Sequence, residues 1–192
     1  MFGDPAFNTK GWDEVELATL LRAKPSNGFF AKNNEYCENG NAKVMWLSDV
    51  INRMYSNTEG LKQVNVSEKE LDKYRVRYGD LLFCRSSLNR EGIGKATAIP
   101  PNIDDCTMFE CHVIRAPLSL EKCIPEFIQI QTTLDYFRNQ VFSKSKTATM
   151  TTIGQEGIVS TKVINPPLEK QKEFVRFIAQ VDKLKFEVEQ SL

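Results

Sequence analysis

Asn165-Pro166-Pro167-Leu168-Glu169-Lys170-Gln171 opens the stretch that decides the architecture. From there to Gln190 the apolar residues Leu168, Phe174, Val175, Ile178, Val181, Leu184 and Val188, with the stem of Lys185, run through charged neighbours at close to the 3.6-residue period of an amphipathic helix. Proline suits the first turn, where a missing N–H costs nothing, so the pair sets the helix start. At 1.5 Å per residue such a helix is about 34 Å long, more than a small domain covers. Part of its stripe is therefore expected to meet a second helix from outside this segment, and a copy of the same helix would serve.

Upstream the pattern changes to short apolar runs divided by turns. Residues 1–10 read as a linker, and Gly11-Trp12 leads an alternating strand to Leu17. Lys43–Val50 reads as a buried strand. Ser67 with Glu70 forms a capping box for a short helix, and Gly79-Asp80 turns the chain into the core strand Leu81-Leu82-Phe83. Strands are expected at 96–99 and 107–115, one helix at 124–142, and a flexible or partner-ordered Ser/Thr/Lys loop, not a packed element, at 143–152. The reading is an α+β fold: a β-rich domain over 11–163 and a scaffold helix over 167–191.

With 192 residues, 41% of them hydrophobic and 26% charged, the chain has the composition of a folded globular protein. No apolar run approaches the roughly 20 residues of a membrane helix, and Met1-Phe2-Gly3-Asp4-Pro5 is no signal peptide, so a cytoplasmic protein without membrane contact is expected. Twenty-five basic residues balance twenty-five acidic ones, so a nucleic-acid partner would require basic side chains gathered on one face. Five cysteines without CxxC spacing argue against a disulfide framework or a zinc ribbon. Cys111 beside His112, the sole histidine, lacks an acidic third member at ligand spacing and reads as a strand pair.

Catalytic signatures fail one by one. Asn165-Pro166-Pro167 resembles the turn of adenine methyltransferases, but Leu168 has no ring to stack on a flipped base. No glycine-rich turn between a strand and a helix is placed to hold S-adenosylmethionine, and P-loop, HExxH and GxSxG patterns are missing. Asp104 and Asp105 follow Pro100-Pro101 as turn residues. What remains is a set of polar loops carrying side chains that bond to phosphates and base edges. The candidates are Lys24, Ser26, Asn27, Lys32 and Asn33 in the first loop, and Arg85, Ser86, Ser87, Asn89, Arg90 and Lys95 in the second. Lys144 and Lys146 are phosphate candidates. Eight basic residues against five acidic ones between Lys62 and Lys95 lend modest support, which counts only if these loops converge.

Three motifs in order, Gly11-Trp12, Tyr78-Gly79-Asp80-Leu81-Leu82-Phe83 with Gly94-Lys95, and Pro166-Pro167-Leu168-Glu169-Lys170-Gln171, resemble the specificity subunit of type I restriction-modification systems over nearly the whole chain. Met1-Phe2-Gly3-Asp4-Pro5 resembles the junction after the first long helix of such subunits. The resemblance implies one target recognition domain plus one spacer helix, either a half-subunit or a fragment. It implies sequence-specific double-stranded DNA binding without catalysis, and a helix that pairs antiparallel with its twin in a homodimer. The implied protein partners are methyltransferase subunits, with restriction subunits as a further class. The chain itself would need no cofactor, S-adenosylmethionine belonging to the methyltransferase partner. A non-catalytic assembly protein acting through its helix without reading DNA is the alternative.

Overall fold

A computed structural model describes residues 3–51 and 53–190. In chain order its elements are β1 (Glu14–Glu16), β2 (Ser26–Asn27), β3 (Tyr36–Cys37), β4 (Ala42–Met45), α1 (Leu47–Val50), β5 (Lys62–Val64), α2 (Glu68–Tyr74), β6 (Asp80–Cys84), β7 (Ser86–Ser87), β8 (Ala96–Ala98), β9 (Thr107–Phe109), β10 (Val113–Pro117), α3 (Pro125–Gln131), α4 (Asp135–Lys144), β11 (Lys146–Thr147), β12 (Thr151–Thr152), α5 (Gln155–Val159), β13 (Lys162–Ile164) and α6 (Leu168–Gln190). They form the α+β architecture expected from the sequence.

The principal sheet is antiparallel in the order β2-β10-β6-β8. Every residue of β6 is buried, and its alternation feeds two cores. Leu81 and Phe83 pack with Phe127, Ile128, Phe137 and Val141 beneath α3 and α4. Leu82 faces the other way, into Met45, Val50, Ile99, Phe109 and Val113. On that second side lies the sheet β3-β5-β4-β9, with β4 and β9 parallel. Asp80 opens β6 with its carboxylate accepting from the Arg77 N–H at 3.0 Å and from the Arg22 guanidinium, which also donates to the Leu118 carbonyl at 2.7 Å. That is the physical content of the Gly79-Asp80 turn: a buried charge paired from two directions. Gly94 has φ +63°, and a Cβ there would stand 2.6 Å from Val141, so only glycine lets α4 pack on this turn.

Four expectations need correction. The expected strand 43–50 ends at Met45, because Trp46 leaves the sheet and Asp49 accepts its N–H at 2.9 Å to start α1. The strand 107–115 is two strands in different sheets, broken by a turn at Glu110-Cys111-His112. The single helix 124–142 is α3 and α4: Thr132 and Thr133 turn their hydroxyls onto the carbonyls of Gln129 and Ile130, at 2.6 and 2.7 Å, and close α3 early. The loop 143–152 is an ordered hairpin, β11-β12, annexed by β7 into a three-stranded sheet. The opening strand is confined to Glu14–Glu16 and pairs with β13. In the linker, Asn8 clamps Trp12 through two hydrogen bonds, while Met1 and Phe2 lie outside the described residues.

Helix α6 is rooted in the body by Gln171, which is fully buried. Its carbonyl oxygen accepts from the Ile124 N–H at 2.9 Å, and its amide donates to Asn165 Oδ1 at 3.0 Å and to the Pro166 carbonyl at 2.7 Å. One side chain thus joins the start of α3, the proline turn and the first turn of α6. Phe174 meets Phe127 edge-on with ring centroids 5.7 Å apart, and Val175 packs beside it. Replacing Gln171 with Ala strands these buried partners. The variant is expected to lose about 2 kcal/mol of stability, read as a lower urea midpoint, while Gln180→Ala on the exposed face stays within about 0.5 kcal/mol of the parent.

Candidate nucleic-acid interface

Antiparallel pairing settles where the polar loops go. The strands β2 and β6 end, and β8 and β10 begin, at the same end of the principal sheet, because Asn27 pairs with Ile114, Cys84 with Val113, and Phe83 with Ala96. Three connections therefore leave from one end: the chain beyond Asn27, the segment Arg85–Lys95, and the turn Glu110–His112. The hairpin β11-β12 joins them through the pairing of Thr151 and Thr152 with Ser87 and Ser86. The root of α6 is at the other end, since β10 finishes at Pro117 and the chain needs only Leu118–Cys123 to bring Ile124 to Gln171.

Within this cluster the candidates divide. Asn89, Arg90 and Lys146 are exposed, and Ser87 and Lys95 are half-buried; Lys32 and Asn33, further along the chain beyond β2, are exposed as well. Arg90 lies over the Phe142 ring at 5.0 Å, which holds its cation at the surface. Several others are occupied in building the loops. Asn89 accepts the Glu91 N–H at 3.0 Å and caps the turn at residues 90–92. Arg85 donates to the Cys111 carbonyl at 3.2 Å, and Ser86 is buried. Ser26 and Asn27 form the edge strand β2, with the Ser26 hydroxyl enclosed. Lys144 is not a free phosphate ligand, because its ammonium donates to the Ser160 carbonyl at 2.6 Å and hydroxyl at 2.9 Å, and partial burial lowers its pKa. Lys24 is exposed but precedes β2, away from the cluster.

Structure adds residues that the sequence reading passed over. Leu88, the residue after β7, is 84% exposed, and Phe30 is 67% exposed beyond β2. Beside the loops a cleft of about 690 Å³ runs along one face of α4, with Arg53, Lys95 and Arg138 among its walls. The signal for Leu88 and Phe30 was an apolar residue inside a polar loop. Arg53, distant in sequence, carried none. Burial raises the thiols of Cys84 and Cys123 to about 11 and about 12, which leaves neither as a nucleophile.

The stripe of α6 also divides. Of the expected helix-interface residues, Phe174 and Val175 pack on the chain's own body, and they are half-buried, as are Leu168, Ile178 and Val181. Phe177 at 51%, Leu184 at 60% and Val188 at 57% exposure form, with Val181, a second apolar face at positions i, i+4, i+7 and i+11. Among the described residues no helix is long and apolar enough to cross a membrane.

A β-rich body that gathers polar loops at one end and roots a long helix at the other defines a recognition module on a rod. The family model described as the type I restriction modification DNA specificity domain matches residues 9–192, and the chain belongs to that family. It is similar to the EcoKI specificity subunit of Escherichia coli K12, 28% identical over 160 residues, a match covering 81% of this chain and 33% of the relative. The chain thus spans about a third of the length of that curated relative. Among solved structures it is similar to the HsdS subunit of Thermoanaerobacter tengcongensis, with a TM-score of 0.60 at 19% identity over 95% of this chain and 44% of that one. A chain from a study of complex assembly and conformational transition in the type I R-M system superposes with a TM-score of 0.67 at 14% identity, over 94% of this chain and 40% of that one. These likenesses bear on the fold.

The division between exposed and structural loop residues is testable through stability. Arg90→Ala and Lys146→Ala are expected to melt within about 0.5 kcal/mol of the parent, whereas Asn89→Ala and Lys144→Ala each lose about 1 kcal/mol by thermal denaturation.

Proposed function

We propose that this chain reads one half-site of a duplex DNA target as the recognition unit of a type I restriction-modification specificity subunit. The observation that carries the reading is that the chain beyond Asn27 and the segment 85–95, with the hairpin 146–152 paired to it through β7, leave from the end of the principal sheet opposite the root of α6. Phosphates would be met by Lys32, Arg90, Lys95 and Lys146, and base edges by Asn33, Ser87 and the apolar tips Leu88 and Phe30. A rod of about 34 Å is close to one turn of duplex, so two such bodies at its ends would address half-sites separated by an unread gap.

In this reading α6 pairs antiparallel with a second helix through Phe177, Val181, Leu184 and Val188, and its remaining surface docks methyltransferase subunits. Those subunits bind S-adenosylmethionine and supply the catalysis, and restriction subunits join through them. A second copy of this chain is one source of the partner helix. Sedimentation of the intact chain is expected to give a dimer that Leu184→Asp dissolves with the fold intact, whereas Val175→Asp unfolds the body. A monomer at all concentrations would contradict self-pairing.

DNA reading is tested by titrating the intact chain with a random-sequence duplex at several salt concentrations. Affinity is expected to fall steeply with salt, and Arg90→Ala and Lys146→Ala each to reduce the log–log slope by about one. Binding that is absent at low salt, or indifferent to both substitutions, would favour an assembly role for the rod alone.

A further inference from the structure

The turn between β9 and β10 holds chemistry that the DNA reading does not use. Glu110, Cys111 and His112 are consecutive, yet the turn brings one donor atom from each to the same point: Cys111 Sγ is 3.6 Å from His112 Nδ1 and 3.7 Å from Glu110 Oε2, and the last two are 2.8 Å apart. The acidic third member that the sequence reading found missing is therefore the neighbouring residue, turned inward. Among the described residues this is the one group of three such donors close enough to share an ion.

The backbone beneath the trio is fixed at each position. Glu110 N–H donates to the Met45 carbonyl at 3.0 Å and its carbonyl accepts from Val113 at 3.1 Å. The Cys111 carbonyl accepts from the Arg85 guanidinium at 3.2 Å, and the His112 carbonyl from the Arg85 N–H at 2.8 Å. Gly28 lies so close that a Cβ would stand 2.2 Å from the Glu110 carbonyl oxygen, so the chain leaving β2 packs against the turn on one side. The donors are held before any ion arrives, which lowers the ordering cost of binding. Glu110 is only 7% exposed, and a buried carboxylate gains from a cation. The His112 side chain is 55% exposed, so the site opens to solvent on its side.

We propose that Glu110, Cys111 and His112 form a binding site for a thiophilic divalent cation of the zinc class. Around tetrahedral zinc, with bonds of about 2.3 Å to sulfur and about 2.0 Å to nitrogen and oxygen, ligand atoms stand roughly 3.3–3.6 Å apart. Two edges of the trio are near that spacing. The third is shorter, as a direct imidazole–carboxylate hydrogen bond requires, and widens when the ion replaces the proton between them. On binding, the Cys111 thiol gives its proton to solvent and His112 adopts the Nε2–H tautomer, leaving Nδ1 to ligate. Three protein ligands leave a fourth position for water. Thiolate and imidazole disfavour magnesium and calcium, which prefer oxygen donors.

The test is a titration of the metal-stripped intact chain with Co²⁺, followed by competition with Zn²⁺. One equivalent is expected to produce the ligand-field bands of four-coordinate cobalt and a thiolate-to-cobalt charge-transfer band, both erased by zinc. Cys111→Ser is expected to abolish the charge-transfer band. His112→Asn, an exposed position where folding is not at risk, is expected to weaken binding roughly tenfold or more. Cys37→Ser and Cys106→Ser should leave the spectrum unchanged. Absence of the bands in the parent, their persistence in Cys111→Ser, or their loss in Cys37→Ser or Cys106→Ser would overturn the proposal.

Discussion

Strand β6 can expose neither of its faces, and the rest of the molecule is arranged to satisfy that constraint. Its five residues are buried, with Leu81 and Phe83 committed to the core under α3 and α4 and Leu82 to the core shared with the second sheet. A strand covered on both faces must be hydrogen-bonded on both edges as well, and β10 and β8 supply this in antiparallel register. Antiparallel neighbours send their connections out at the ends of the strand. The position of the polar loops is thus a consequence of burying β6, and their exposed residues can vary without touching the core, while Ile93 and Gly94 remain committed to it.

A second constraint decides where the rod stands. Gln171 is a polar side chain at the first inward position of an otherwise apolar stripe, and it is tolerated there because all of its hydrogen-bonding capacity toward the body is used. It holds the proline turn, α3 and α6 in one geometry, and Phe174 against Phe127 gives that junction its apolar contact. Beyond the junction α6 leaves the body with a second apolar face about 100° round from the first. A helix that contacts two bodies requires two such faces, and a stripe read as one line does not reveal the division.

Much of this was legible in the residues. The period of α6, the proline start, the capping box at Ser67 and Glu70 with the hydroxyl accepting at 3.3 Å, and the core strand after Gly79-Asp80 are local signals, and each formed as read. The errors came where tertiary partners outbid local pattern. Periodicity ran through Thr132-Thr133 although their hydroxyls end α3, and the Ser/Thr-rich hairpin became ordered because β7 offered it an edge. Among the DNA-binding candidates Arg90 and Lys146 are exposed, but residue type could not separate them from Lys144, whose ammonium is taken by Ser160. Nor could it show that Glu110 turns toward Cys111 and His112, since in a strand consecutive side chains would point to opposite faces.

In the proposed DNA reading, one end of the sheet meets the duplex while the rod, rooted at the other, does not. Hydrogen–deuterium exchange of the intact chain, with and without a random-sequence duplex at low salt, tests it most directly. DNA is expected to slow exchange across residues 28–34, 85–95 and 145–152 and to leave 119–124 and 176–190 unchanged. Slowing confined to the rod or to the root of α6, with the three loop segments unaffected, would contradict it.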